Sequence, residues 1–139
     1  MIEKHSLNNY DEGIGKDKQF FFAHSYGLPY LSGIGVYYFN KKSLYVTEAN
    51  TSFAFSDASV GYNYELINNF YTGVNAGIVY LPSEETAIIP HFSSELIYKV
   101  KRQNTVLIRG GVQIPLLEMR LFYGSFHFSP YVRLTCLLP

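Results

Sequence analysis

Apolar and polar side chains alternate along most of this chain with a period of two. That is the pattern of β-strands with one face turned toward an apolar environment. It is clearest from Ser59 to Leu81, SVGYNYELINNFYTGVNAGIVYL. Val60, Tyr62, Tyr64 and Leu66 share one face, and Gly61, Asn63 and Glu65 the other. After Ile67-Asn68-Asn69, the series Phe70, Thr72, Val74, Ala76, Ile78, Tyr80 alternates with Tyr71, Gly73, Asn75 and Gly77. Asn accepts the left-handed backbone of a tight hairpin, so the segment predicts two paired strands.

The same alternation recurs in Tyr45 to Phe55, Phe92 to Val100, Val106 to Ile114 and Phe126 to Cys136. Two less regular stretches, 18–25 and 32–39, bring the expected number of strands to eight. Three connections are tight and polar: Asn40-Lys41-Lys42, Ile67-Asn68-Asn69 and Arg102-Gln103-Asn104. Those at 26–31, 82–90 and 115–123 are longer, while Ser56-Asp57-Ala58 is short but follows a strand long enough to project. Tight turns alternating with looser loops predict an up-and-down antiparallel barrel, with the two kinds of connection at opposite ends. The expectation is a single barrel domain over residues 1–139, with 1–17 a peripheral N-terminal segment.

Alternation alone does not say whether the apolar face points into a core or outward. The polar face is built from Gly61, Gly73, Gly77, Gly111, Asn50, Asn63, Asn75, Ser52, Ser93, Ser129 and Gln113. Glycine weakens a strand unless space is short, so this face suits the inside of a narrow barrel. The charges within strands, Glu48, Glu65, Glu95, Lys99, Arg109 and Arg133, all fall on it by parity. Three acids against three bases satisfy the pairing that a dry interior demands. The apolar face carries Tyr45, Phe55, Tyr62, Tyr64, Phe70, Tyr80, Phe92, Tyr98, Phe126 and Phe128, many near strand ends. Aromatic rings bordering an apolar band are how membrane barrels sit at the headgroups.

On this pattern the chain resembles the small eight-stranded outer-membrane β-barrels of Gram-negative bacteria over roughly 18–138. It ends Leu137-Leu138-Pro139, where such barrels usually end in an aromatic residue. The resemblance implies an all-β, eight-stranded antiparallel up-and-down transmembrane β-barrel in the bacterial outer membrane. The first ten residues hold no apolar stretch of a secretory leader, so this reading expects a leader lying outside the chain. Its partners would be the lipid bilayer and a protein or lipopolysaccharide at the loops, where Tyr26, Tyr30, Phe122 and Tyr123 are the candidate contacts.

Composition narrows the alternatives. Lys+Arg 11 balances Asp+Glu 11, and no cation excess is available for nucleic acid. Only 16% of residues are charged and 17% are aromatic, which excludes a disordered or coiled-coil chain. The single cysteine, Cys136, permits no internal disulfide. His5, His24, His91 and His127 are scattered without metal-ligand spacing, so neither metal nor cofactor is expected. His127 and Ser129 are the catalytic candidates: they share a face, about 6–7 Å apart along a strand. Some outer-membrane lipid A deacylases are similar in using a His-x-Ser pair on a barrel strand. Their pair faces lipid, whereas parity turns His127 and Ser129 inward, and Pro130-Tyr131 follow in place of an Asn-Ala-Gly-like run. His24 and Ser25 are adjacent, hence on opposite faces. The expected role is structural or surface-interaction, with the Glu/Lys/Arg set plugging the lumen. The alternatives are a lipid-modifying enzyme, a small pore, or a soluble barrel around a hydrophobic ligand.

Overall fold

A computed structural model describes residues 19–82, 87–100, 106–116, 119–121, 124–126 and 129–138. Eight long strands close on themselves: β1 (Gln19–Leu28), β2 (Ser32–Asn40), β3 (Ser43–Thr51), β4 (Ser56–Ile67), β5 (Phe70–Leu81), β6 (Ala87–Lys99), β7 (Val106–Pro115) and β10 (Ser129–Leu138). Each pairs antiparallel with its sequence neighbour in the ring, and β1 pairs with β10 to complete the barrel. Between β7 and β10 the chain forms a separate two-stranded hairpin, β8 (Met119–Leu121) and β9 (Gly124–Phe126).

The tight connections lie at one end, together with the start of β1 and the end of β10. At Lys41 (φ 56°) and Asn69 (φ 69°) the backbone enters the left-handed region that two-residue hairpins require. A bulge between Glu65 and Ile67 delivers the chain into the second of these turns. The opposite end carries the β1–β2, β3–β4, β5–β6 and β7–β10 connections.

Several strand boundaries differ from the sequence expectation: β1 runs on to Leu28 and β6 begins at Ala87, both inside stretches expected as loops. β3 stops at Thr51 instead of running to Phe55, because Ser52 caps a compact turn: its Oγ accepts from the Ala54 and Phe55 N–H groups at 3.3 and 3.2 Å. Asp57 therefore belongs to β4, not to a connection. Phe126 pairs with Met119 in the small hairpin and lies outside the barrel strand that follows.

The interior is layered. Nearest the tight turns lies an apolar floor of Ala23, Tyr37, Phe39, Leu44, Val46, Tyr71, Ile97, Leu107 and Leu137, with Phe21 against it. Above it comes a layer of ionic and amide groups. Val79 and Ile89, packed by Phe55 and Leu81, lie toward the loop end. An eight-stranded barrel encloses just enough space for side chains, so these layers fill it. The outer surface is apolar too: Phe20, Val74, Leu96 and Val132 are 73, 61, 63 and 64% exposed.

Candidate functional site: a charged layer inside the barrel

Parity along β3, β6, β7 and β10 aims Glu48, Glu95, Arg109 and Arg133 at the barrel axis. They are 4, 1, 1 and 6% exposed. Arg109 organises them. Its Nε and Nη2 donate to Glu95 Oε2 at 3.2 and 2.8 Å, and its Nη1 donates to Glu48 Oε1 at 2.6 Å and to the Tyr37 hydroxyl. The planar guanidinium holds carboxylates on two strands at once, which a lysine ammonium does not do with fixed geometry. Glu95 accepts further hydrogen bonds from Tyr131 Oη at 2.8 Å and Asn63 Nδ2 at 3.1 Å. Glu48 accepts from Ser25 Oγ at 3.4 Å and from Arg133 Nη1 at 3.5 Å.

Arg133 is held mainly by rings: its guanidinium sits 4.7 Å from the Tyr30 centroid and 5.3 Å from that of Tyr131. Its buried Nε has no protein partner. Two carboxylates thus meet two guanidiniums, so this layer is neutral as a set.

The glycines of the inner face make room for it. A Cβ on Gly111 would lie 2.3 Å from Ser94 O and 2.7 Å from Tyr131 Oη; one on Gly61 would lie 1.5 Å from Asn75 Oδ1. These strands carry glycine because a neighbouring polar side chain occupies the place of its Cβ.

The other predicted lumen charges lie elsewhere. Lys99 is buried on the inner face of β6, four residues from Glu95 toward the tight turns. Glu65 is only half-buried and does not join the network; its Oε1 accepts the Asn69 N–H at 3.2 Å, anchoring the β4–β5 turn.

A second polar group, unforeseen from the sequence, lies at the loop end. Asn50 Nδ2 donates to Asp57 Oδ1 at 3.0 Å, while the other carboxylate oxygen of Asp57 meets His91 Nε2, and all three residues are buried. Asp57 reads as a turn residue and His91 as isolated; only the β4–β5–β6 registers bring them together.

Of the predicted loop contacts, Tyr30 is 2% exposed and points into the barrel mouth, against Phe55 and 3.2 Å from the Gln113 amide. It closes the mouth instead of projecting from it. Burial, with Asp57 nearby, pushes its phenol above the ordinary value and keeps it neutral. Tyr26 lies on β1, not in a loop, and faces outward. Phe122, Tyr123 and His127 lie outside the described residues, and Ser129 opens β10.

Outward-facing His24 also has company that spacing could not show. Its Nε2 is 3.0 Å from Ser32 Oγ on β2, and its Nδ1 is 2.7 Å from Tyr26 Oη. Among the described residues no three His, Cys, Asp or Glu side chains converge as a metal site. No protein-family model matches this chain, and neither a curated protein nor a solved structure matches it.

Proposed function

We propose that this chain is a lipid-spanning barrel of a bacterial outer membrane. Its lumen is closed by its own side chains, and its role is structural or interaction-based, presenting the loop end to a partner. The inversion of its two faces carries this reading. Ion pairs and amides occupy the middle of the interior between two apolar layers. Among the described strand residues, large apolar side chains and no charges cover the outside, whereas a water-soluble barrel carries polar and charged side chains on its outer face. Strands of 9 to 13 residues suit a tilted crossing of the hydrocarbon layer. Tyr38, Tyr45, Tyr62, Tyr64, Phe70 and Tyr98 project outward near the tight turns, with Tyr26 and Tyr80 near the loops, the two levels at which amphipathic rings meet headgroups. At the loop end Phe53 is 98% exposed at the tip of the β3–β4 turn, an aromatic suited to contact with a protein or lipopolysaccharide partner.

Closure of the lumen separates this role from that of a pore. Planar bilayers holding the refolded protein are expected to stay silent. A cysteine at Val74 or Leu96, in a Cys136→Ser background and carrying an environment-sensitive dye, is expected to be quenched by nitroxide-labelled acyl chains. Steady conductance contradicts the closed lumen, and absence of quenching contradicts the lipid-facing surface.

A further inference from the structure

Among the described residues of the barrel strands no Asp, Glu, Lys or Arg faces outward, and the only outward histidine is His24. It stands at a defined level. The strand registers make Tyr26, Ser32, Thr51, Ser56 and Tyr80 direct neighbours around β1 to β5, a row of hydroxyls at the loop end. The next row toward the tight turns reads His24, Ile34, Ala49, Ala58 and Ile78. The imidazole therefore sits just inside the apolar surface, a place where an ionisable group is expensive to keep without a function.

Its contacts have the form of an activated nucleophile. With its proton on Nδ1, His24 donates to Tyr26 Oη at 2.7 Å and accepts the Ser32 O–H at Nε2 across 3.0 Å. A hydroxyl is held by a base, and the base is held by a third group. A separate feature of the same surface points to what the hydroxyl would meet. On β3 to β5 the outward residues Thr47, Ala58, Val60, Ala76 and Ile78, with Glu48, Ser59 and Gly77 between them, line a shallow, open groove of about 330 Å³. Ala49, the strand partner of both Ile34 and Ala58, leaves low ground between the groove and Ser32.

We propose that Ser32 and His24 hydrolyse a carboxylic ester of a membrane lipid, with the carbonyl at the hydroxyl row and the acyl chain laid over Ala49 and Ala58 into the groove. This rests on the lipid-facing assignment above. Ser32 Oγ attacks the carbonyl carbon as its proton passes to His24 Nε2. The carbon–oxygen bond to the alcohol then breaks, and the leaving oxygen takes that proton. Water from the interface attacks the acyl-serine and gives a proton to Nε2. The fatty acid departs, and the proton returns to Ser32 Oγ. Tyr26 is a positioning residue that fixes the ring and its tautomer.

The test uses the full chain refolded in detergent micelles, with a biotinylated fluorophosphonate and p-nitrophenyl palmitate as probes. The adduct is expected on Ser32 by peptide mass spectrometry. Ser32→Ala and His24→Ala should each lower p-nitrophenol release about 100-fold or more. Tyr26→Phe should lower kcat with KM unchanged. Ala58→Leu should lower the palmitate-to-acetate rate ratio by filling the groove. Absence of an adduct at Ser32, or full activity in Ser32→Ala, overturns the proposal when the same sample shows a heat-modifiable fold. A sample that needs no amphiphile to fold overturns the lipid-facing assignment itself, and this site with it.

Discussion

Arg109→Met removes the one guanidinium that ties Glu48 to Glu95. Three charge-assisted hydrogen bonds to carboxylate disappear, and both carboxylates remain at 4 and 1% exposure. Arg133 reaches only Glu48, at 3.5 Å, so Glu95 loses its guanidinium and keeps the Tyr131 and Asn63 donors. Removing one partner of a buried pair costs about 3–5 kcal/mol, a large share of the ~5–15 kcal/mol that holds a domain folded. With a urea slope of about 2 kcal/mol per molar, the midpoint should fall by roughly 2 M. The chain has no tryptophan, so far-UV circular dichroism in lipid vesicles, with the folded gel band alongside, follows the transition. Arg109→Lys keeps the charge but loses the fork, and should cost about half as much. Adding Glu95→Gln to Arg109→Met should restore part of the loss, since it discharges the stranded carboxylate. A cost below about 1 kcal/mol for Arg109→Met would rule out a dry ionic layer, because only water around these groups could screen them so well.

Gly110 and Gly111 are neighbours on opposite faces of β7, so their alanine variants should part company. A Cβ on Gly110 meets only Tyr131 O at 3.7 Å, so Gly110→Ala should be neutral or stabilising by up to ~1 kcal/mol. Gly111→Ala forces a Cβ to within 2.3 Å of Ser94 O, and should cost about 1–3 kcal/mol in the same urea assay. Lys41, at φ 56°, bears a left-handed strain that glycine relieves. Lys41→Gly should raise the unfolding free energy by about 0.5–1 kcal/mol, with Asn69→Gly gaining less because Asn already tolerates that backbone.

Much of the barrel was legible because a period of two is a local signal. The hairpin across 59–81 needs only its own residues, and parity alone assigns Glu48, Glu95, Arg109 and Arg133 to one face. What parity does not carry is register, the offset that decides which residues of two strands lie side by side. Asp57 and His91 meet through two successive pairings, and Ser32 meets His24 only because β1 and β2 turn back at Pro29. The apolar floor was hidden for another reason. Leu44, Val46, Ile97 and Leu107 fall on the face that glycine and asparagine mark as polar, and only closure of the barrel shows them meeting at one level. Tyr30 read as a loop aromatic because nothing local reveals that its ring folds back over Arg133. The end of β3 was overrun because Ser52, which caps the turn through its hydroxyl, also fits the alternation.

Whether lipid is the solvent of the apolar outer face is decided by refolding the chain with and without amphiphile and comparing unboiled with boiled samples by SDS gel electrophoresis. The expected result is a compact, protease-resistant band that forms only with detergent or liposomes and shifts on boiling. A monodisperse, folded protein in plain buffer would contradict it, because the exposed rings of Phe20, Phe22 and Phe92 could not then face water in a stable monomer.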